Sequence, residues 1–163
     1  TAKDYVDSIK LLKQYPNVFV TRTFSKMYGL AGLRIGYGIG NAMVIDWLNR
    51  VREPFNVNSI AQAAALACLE DDAYYKKVAT TLQKEREYFY RQFERLGLAY
   101  IKSDANFILV KLENDAQKYA GKLLEKGMIV RDMSIWGLEN YLRVTIGRRL
   151  ENQKFIKTLE EIL

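Results

Sequence analysis

The sequence has no histidine, one cysteine and two prolines in 163 residues. Without histidine there can be no Ser-His or Cys-His nucleophile pair, and most zinc chemistry is removed with it. The single cysteine, Cys68, allows neither an internal disulfide nor a cysteine cage for a metal, and its setting AAALACLE reads as a small residue on a helix face. No apolar run approaches the roughly 18 residues that a membrane-spanning helix needs. The N-terminal TAKDYVDSIK lacks the basic-then-apolar layout of a signal peptide. A soluble cytoplasmic protein with no membrane partner is the expectation. Any proton transfer falls to Lys, Tyr, Asp or Glu.

Apolar residues make up 49% of the chain, enough for a packed core, and the net charge is +6. The basic residues are interleaved with acids, as in Lys84-Glu85-Arg86-Glu87, which reads as a solvated helix face. No RNA- or DNA-binding motif accompanies the charge, so no nucleic-acid partner is expected.

Val6, Ile9 and Leu12 predict a helix over 3–15, stopped by Pro16. NVFVTRTF (17–24) has the composition of a short strand buried on both faces, and LRIGYGIG (33–40) supplies a second strand. Asn41 is placed to cap a helix carrying Met43, Val44, Trp47, Leu48 and Val51. After the turn-rich REPFNVNS (52–59), Ser59 is the expected cap of SIAQAAALACLE. A long amphipathic helix from about 72 to 96 should end at Gly97. Then follow strand-like LAYIKS and NFILVKL, a helix over about 114–126 stopped by Gly127, strand-like MIVRD and NYLRVTIG, and a last helix to Leu163. The second half is expected to be an α/β unit with an antiparallel sheet. The first half holds too few strands for a complete doubly wound sheet, which points to the tail of a longer protein.

The densest chemistry lies in TFSKMYGLAGLRIGYGIG (23–40), with one serine, one lysine, one arginine and five glycines. A lysine amine, which ordinarily titrates near about 10.4, is a poor nucleophile and base unless desolvated, placed near another cation or tied up as an imine. Pyridoxal phosphate enzymes use the imine, and a phosphate tail then needs hydroxyls, backbone N–H groups and a cation. Thr23 and Ser25 offer hydroxyls and Arg34 a bidentate fork. Spacing alone leaves a second reading open, with Lys26 on a surface turn and Arg34 in a surface ion pair. GYGIGN (36–41) ends in Asn41 and does not make a dinucleotide fingerprint; no G-x-x-x-x-G-K-[ST] is present.

RTFSKMYGLAGLRIGY resembles the cofactor-lysine segment of the class I and II (fold type I) aminotransferases, in particular their histidinol-phosphate branch. REPFNVNSIAQAAA, EREYFYRQFERLG, SDANFILVKL, KGMIVRD and NYLRVTIGRRLENQKFI follow in the same order, so the resemblance covers nearly the whole chain. It implies an α/β fold: residues 1–62 as the C-terminal part of the large pyridoxal-phosphate domain, and 63–163 as a linking long helix and a small α+β C-terminal domain. It also implies that Lys26 carries pyridoxal 5'-phosphate as an imine and moves the substrate proton, with Thr23, Ser25 and Arg34 on the cofactor phosphate. Arg143 would take a substrate carboxylate and Arg131 a substrate phosphate; a salt bridge to the adjacent Asp132 or another acid is the other reading of Arg131. The implied reaction is transamination between histidinol phosphate and 2-oxoglutarate or glutamate, in a homodimer. A threonine-phosphate decarboxylase, an aromatic aminotransferase or a non-catalytic binding module are the alternatives. The family's pyridinium acid and stacking ring lie N-terminal to the lysine, in segments this sequence does not contain. By itself the segment is expected to bind the cofactor poorly and to be inactive.

Overall fold

A computed structural model describes residues 6–163. The chain divides into two compact units, one running to Ala79 and the other spanning Thr80–Leu163.

The first unit begins with α1 (Ser8–Gln14), capped by Asp7, whose carboxylate accepts from the N–H groups of Ile9 and Lys10. The first residues of the helix expected over 3–15 lie outside the described residues. Strand β1 (Phe19–Thr23) pairs antiparallel with β2 (Gly36–Gly40) in a two-stranded sheet. The expectation of a strand buried on both faces is corrected here, because only Val20 of β1 is buried. Among the described residues β2 is the one strand that pairs with β1. Phe19 instead lays its ring over the glycines of β2; a Cβ on Gly40 would come within 2.6 Å of its Cδ2. Asn41 caps α2 (Ala42–Val51) as expected, accepting from the Met43 N–H at 2.9 Å.

Helix α3 (Ser59–Glu70) is capped one residue earlier than expected. The Asn58 side chain, not that of Ser59, accepts from the Ala61 N–H at 2.8 Å. An Asx carboxamide can hold the third N–H from the extended backbone just before the helix, whereas Ser59 is already helical. Helix α4 (Asp72–Arg95) then runs out of the first unit's residues into those of the second. Gly97, at φ +68°, closes it: its N–H reaches the Glu94 carbonyl and the Leu98 N–H that of Phe93. This left-handed stop is one that glycine adopts without strain.

In the second unit, β3 (Tyr100–Ile101), β4 (Phe107–Lys111), β5 (Arg131–Met133) and β6 (Leu138–Thr145) form an antiparallel sheet in the order β3-β4-β6-β5. The first of these is shorter than LAYIKS suggests. Helices α5 (Ala116–Glu125) and α6 (Arg149–Glu160) complete the unit. Ile108, Val110, Leu142 and Val144 alternate into a core with Phe89 and Phe93 of α4, Leu123 of α5, and Phe155 and Leu159 of α6. Each fully buried side chain of this size contributes about 1.5–3 kcal/mol through lost apolar exposure.

The charge run Lys84-Glu85-Arg86-Glu87 is not a solvated face throughout. Glu85 and Arg86 are both 5% exposed, whereas Lys84 and Glu87 face water. A helix with a 3.6-residue period turns two adjacent positions of such a quartet inward, and burial demands partners for both. Glu85 accepts from Arg149 Nε at 2.9 Å and from Asn152 Nδ2 at 2.8 Å. Asn152 also accepts from the Gly147 N–H and donates to its carbonyl, both at 2.9 Å. Arg86 donates to the Ala105 carbonyl at 2.8 Å. The start of α6 and the turn after β6 are therefore tied to α4 through one buried carboxylate.

Asn152→Ala should remove a donor from Glu85 and leave the Gly147 N–H unpaired, costing about 2–3 kcal/mol. The expected result is a lower urea midpoint at unchanged slope.

Candidate active site

The lysine bend is built by the β1–β2 hairpin. Thr23, the last residue of β1, pairs with Gly36, and the Phe24 N–H then donates to the Ile35 carbonyl at 3.2 Å. That bond places Ser25 and Arg34 next to the last cross-link of the hairpin, one on each side. Within the connection, the Thr23 hydroxyl accepts from the Ser25 N–H at 3.0 Å, and the Gly29 N–H returns to the Lys26 carbonyl at 3.0 Å. The four residues predicted for the cofactor thus belong to one connection, although they are separated in sequence by up to eleven positions.

Arg34 has an unusual backbone. It sits at φ 54°, ψ 56°, just after a 3-10 turn, Ala31–Leu33. A non-glycine residue in the left-handed region is strained, and such strain clusters at functional positions. Its Nη1 donates to the Ala31 carbonyl at 2.8 Å, and the alternative of a surface ion pair at Arg34 is not formed among the described residues. Asn58, besides capping α3, extends its amide to within 3.5 Å of the Leu33 carbonyl.

The donor set suits a phosphate. The Ser25 hydroxyl and the Lys26 amine carry no hydrogen bond or ion pair among the described residues, and Arg34 commits one of its nitrogens to the loop. Lys26 and Arg34 are exposed, open to a ligand. A hydroxyl, a further hydroxyl on Thr23 and a guanidinium at the mouth of one hairpin fit an anionic tail, and the amine beside them fits a carbonyl.

In the second unit, Arg131 and Arg143 are direct cross-strand partners on β5 and β6. Leu142 and Val144 point into the core, so Arg143 stands on the opposite face of the sheet, where its guanidinium lies 5.2 Å from the centre of the Phe107 ring. Arg131, Arg143, Thr145, Asp132, Ile129 and Val130 line a cavity of about 370 Å³. Like charges placed directly opposite on neighbouring strands destabilise a sheet unless an anion comes between them. Neither arginine has an ion pair among the described residues. No salt bridge between Arg131 and Asp132 forms among the described residues; Ser134 engages that carboxylate through both its hydroxyl and its N–H. These two bonds hold the Asp132 carboxyl below its ordinary range, with the nearby Arg131 charge a smaller contribution in the same direction.

Sequence reasoning missed several supporting residues: Asn58 behind the Arg34 loop, Phe107 beneath Arg143, and Tyr28 and Tyr75 beside the lysine bend. NVNS signals a cap without saying which residue serves. The aromatic residues sit at core-like spacing that does not separate a site from packing. Among the described residues there is no cluster of metal-ligating side chains and no helix long and apolar enough to cross a membrane.

A lysine-bearing hairpin connection, followed in the chain by a four-stranded antiparallel sheet with helices α4, α5 and α6, is the C-terminal portion of the pyridoxal-phosphate-dependent aminotransferase fold. The chain belongs to the aminotransferase class I and II family, whose sequence pattern matches residues 1–159. It is 49% identical to the histidinol-phosphate aminotransferase of Moorella thermoacetica over 164 aligned residues, all of this chain and 42% of that protein. The structure of the histidinol-phosphate aminotransferase from Clostridium acetobutylicum superposes with a TM-score of 0.89 at 29% identity, covering 94% of this chain and 48% of that one. The enzyme of the same name from Sinorhizobium meliloti, solved in complex with pyridoxal-5'-phosphate, gives 0.82 at 29% identity over 91% of this chain and 42% of that one. The chain thus spans less than half the length of each of these proteins.

Asp132 titrates low, so its contribution to stability is complete above the ordinary aspartate pKa and is lost as pH falls through the lowered value. Ser134→Ala should move its titration midpoint up toward about 3.9, followed by carboxyl-carbon NMR. An unchanged midpoint would mean that Ser134 does not set it.

Proposed function

We propose that this chain supplies the cofactor lysine and the substrate-binding arginines of a pyridoxal-phosphate-dependent aminotransferase that moves an amino group between histidinol phosphate and 2-oxoglutarate. Residues 1–62 would be the last part of its large domain, and 63–163 the long linking helix and small domain. The observation that carries the substrate reading is the cross-strand pair Arg131 and Arg143, two guanidinium groups that line one cavity and make no ion pair among the described residues. One such group serves any amino acid; two on one face suit a substrate with a dianionic end.

In this reading Thr23, Ser25 and Arg34 hold the cofactor phosphate and Lys26 is the residue of attachment. Bound pyridoxal phosphate supplies the electron sink for charge developing at the substrate Cα. The free Lys26 amine would act as general base, taking the proton from the substrate Cα or returning it there. Arg143 holds the carboxylate of glutamate or 2-oxoglutarate in one half-reaction, and Arg131 the phosphate of histidinol phosphate in the other. Gripping those anions restricts the direction in which the substrate Cα–H bond can point. The enzyme would work as a homodimer in the cytoplasm.

Borohydride reduction of the full-length polypeptide with pyridoxal phosphate, followed by peptide mapping, should put the label on Lys26; label scattered over surface lysines would favour a non-catalytic module. Arg131→Ala should lower kcat/KM for histidinol phosphate by about 100-fold, in line with the loss of a charged hydrogen-bonding pair, while glutamate falls much less. Equal losses for both substrates would place Arg131 outside phosphate recognition, as would be expected for an aromatic aminotransferase.

A further inference from the structure

Lys26 stands on a bend whose flanking aromatic residues touch each other. The rings of Phe24 and Tyr28, two positions to either side, have centroids 4.8 Å apart. Phe24 is 4% exposed, and its backbone is fixed at both polar atoms, the N–H to the Ile35 carbonyl and the carbonyl to the Leu30 N–H. Tyr28 has no such backbone ties among the described residues. Its ring instead meets Tyr75, near the start of α4, edge-on at 4.6 Å. The Tyr75 hydroxyl donates to Cys68 Sγ on α3 at 3.0 Å, and this bond is the main reason its pKa is pushed up to about 12. A continuous line of contacts therefore runs from the lysine bend to the corner between α3 and α4, all within the first unit. The Lys26 amine has no partner of its own among the described residues, so its placement comes from the backbone on which it is carried.

We propose that Tyr75 is a positioning residue for Lys26: its ring seats Tyr28 and so holds the bend that presents the amine. The inference rests on Lys26 being the cofactor lysine. The orientation of the amine toward a carbonyl is sensitive to small shifts of its backbone, and an aromatic pair of this geometry contributes enough to bias them.

The test uses the full-length polypeptide with pyridoxal phosphate as the probe. It reads the cofactor dissociation constant and the rate and fraction of borohydride-trapped label on Lys26. Tyr75→Leu should weaken binding about fivefold and slow trapping at Lys26 relative to surface lysines, and Tyr75→Phe, which keeps the ring, should restore both to within about twofold. Tyr28→Leu breaks the same link from the other side and should produce the same loss, with no further loss in the double variant. Should Tyr75→Leu prove unfolded by circular dichroism, Tyr28→Leu decides the matter alone. Wild-type affinity and labelling in Tyr28→Leu, or a Tyr75→Phe variant as impaired as Tyr75→Leu, overturns the proposal while leaving Lys26 as the cofactor lysine. Absence of label at Lys26 in the wild-type polypeptide overturns both.

Discussion

The alternation of β6 decides which face of the second unit's sheet carries Arg143. This strand lies between β4 and β5, and burial of Leu142 and Val144 at 0% and 3% exposure leaves Arg143 no choice of face. A one-residue slip would carry a guanidinium into the apolar core and two aliphatic side chains into water, so the register is held by desolvation on one side and the hydrophobic effect on the other. The same pairing sets Arg131 opposite Arg143 and Phe107 beneath it. The apolar core, in other words, aims the cations. The buried carboxylate of Glu85 secures the end of this strand indirectly, by gripping Asn152, which holds both polar atoms of Gly147.

The lysine bend is arranged differently. Its strands are short and largely uncovered, and the two-stranded hairpin has little core of its own. Geometry there comes from local devices: the Thr23 hydroxyl on the Ser25 N–H, the return from Gly29, the left-handed Arg34, and the ring contacts of Phe24, Tyr28 and Tyr75. Rigid aromatic contacts and side-chain-to-backbone hydrogen bonds define a conformation with few residues. A strained Arg34 fits that picture, since strain persists where the surroundings over-determine the backbone.

Much of this is legible in the residues alone. Asn41 as a cap, Gly97 and Gly127 as stops, and the order of strands and helices in the second half follow from rules that act over a few residues. The antiparallel second sheet is likewise expected from the sequence, although α5 separates β4 from β5. The errors have long-range causes. NVFVTRTF reads as a strand covered on both faces, but composition reports what a strand can tolerate and not which neighbours it has. The Lys84–Glu87 run reads as solvated because charge usually is, and Glu85 and Arg86 become tolerable inside only through Arg149, Asn152 and the Ala105 carbonyl, partners 19 to 67 residues away.

The sequence by itself determined the elements, the chemistry available to them and the family, since propensity, capping and motif order are local properties of the chain. Only the tertiary structure decided that Arg131 faces Arg143 across two strands and that Tyr28 meets Tyr75. Those contacts depend on strand register, turn geometry and helix placement, which no short window of residues contains.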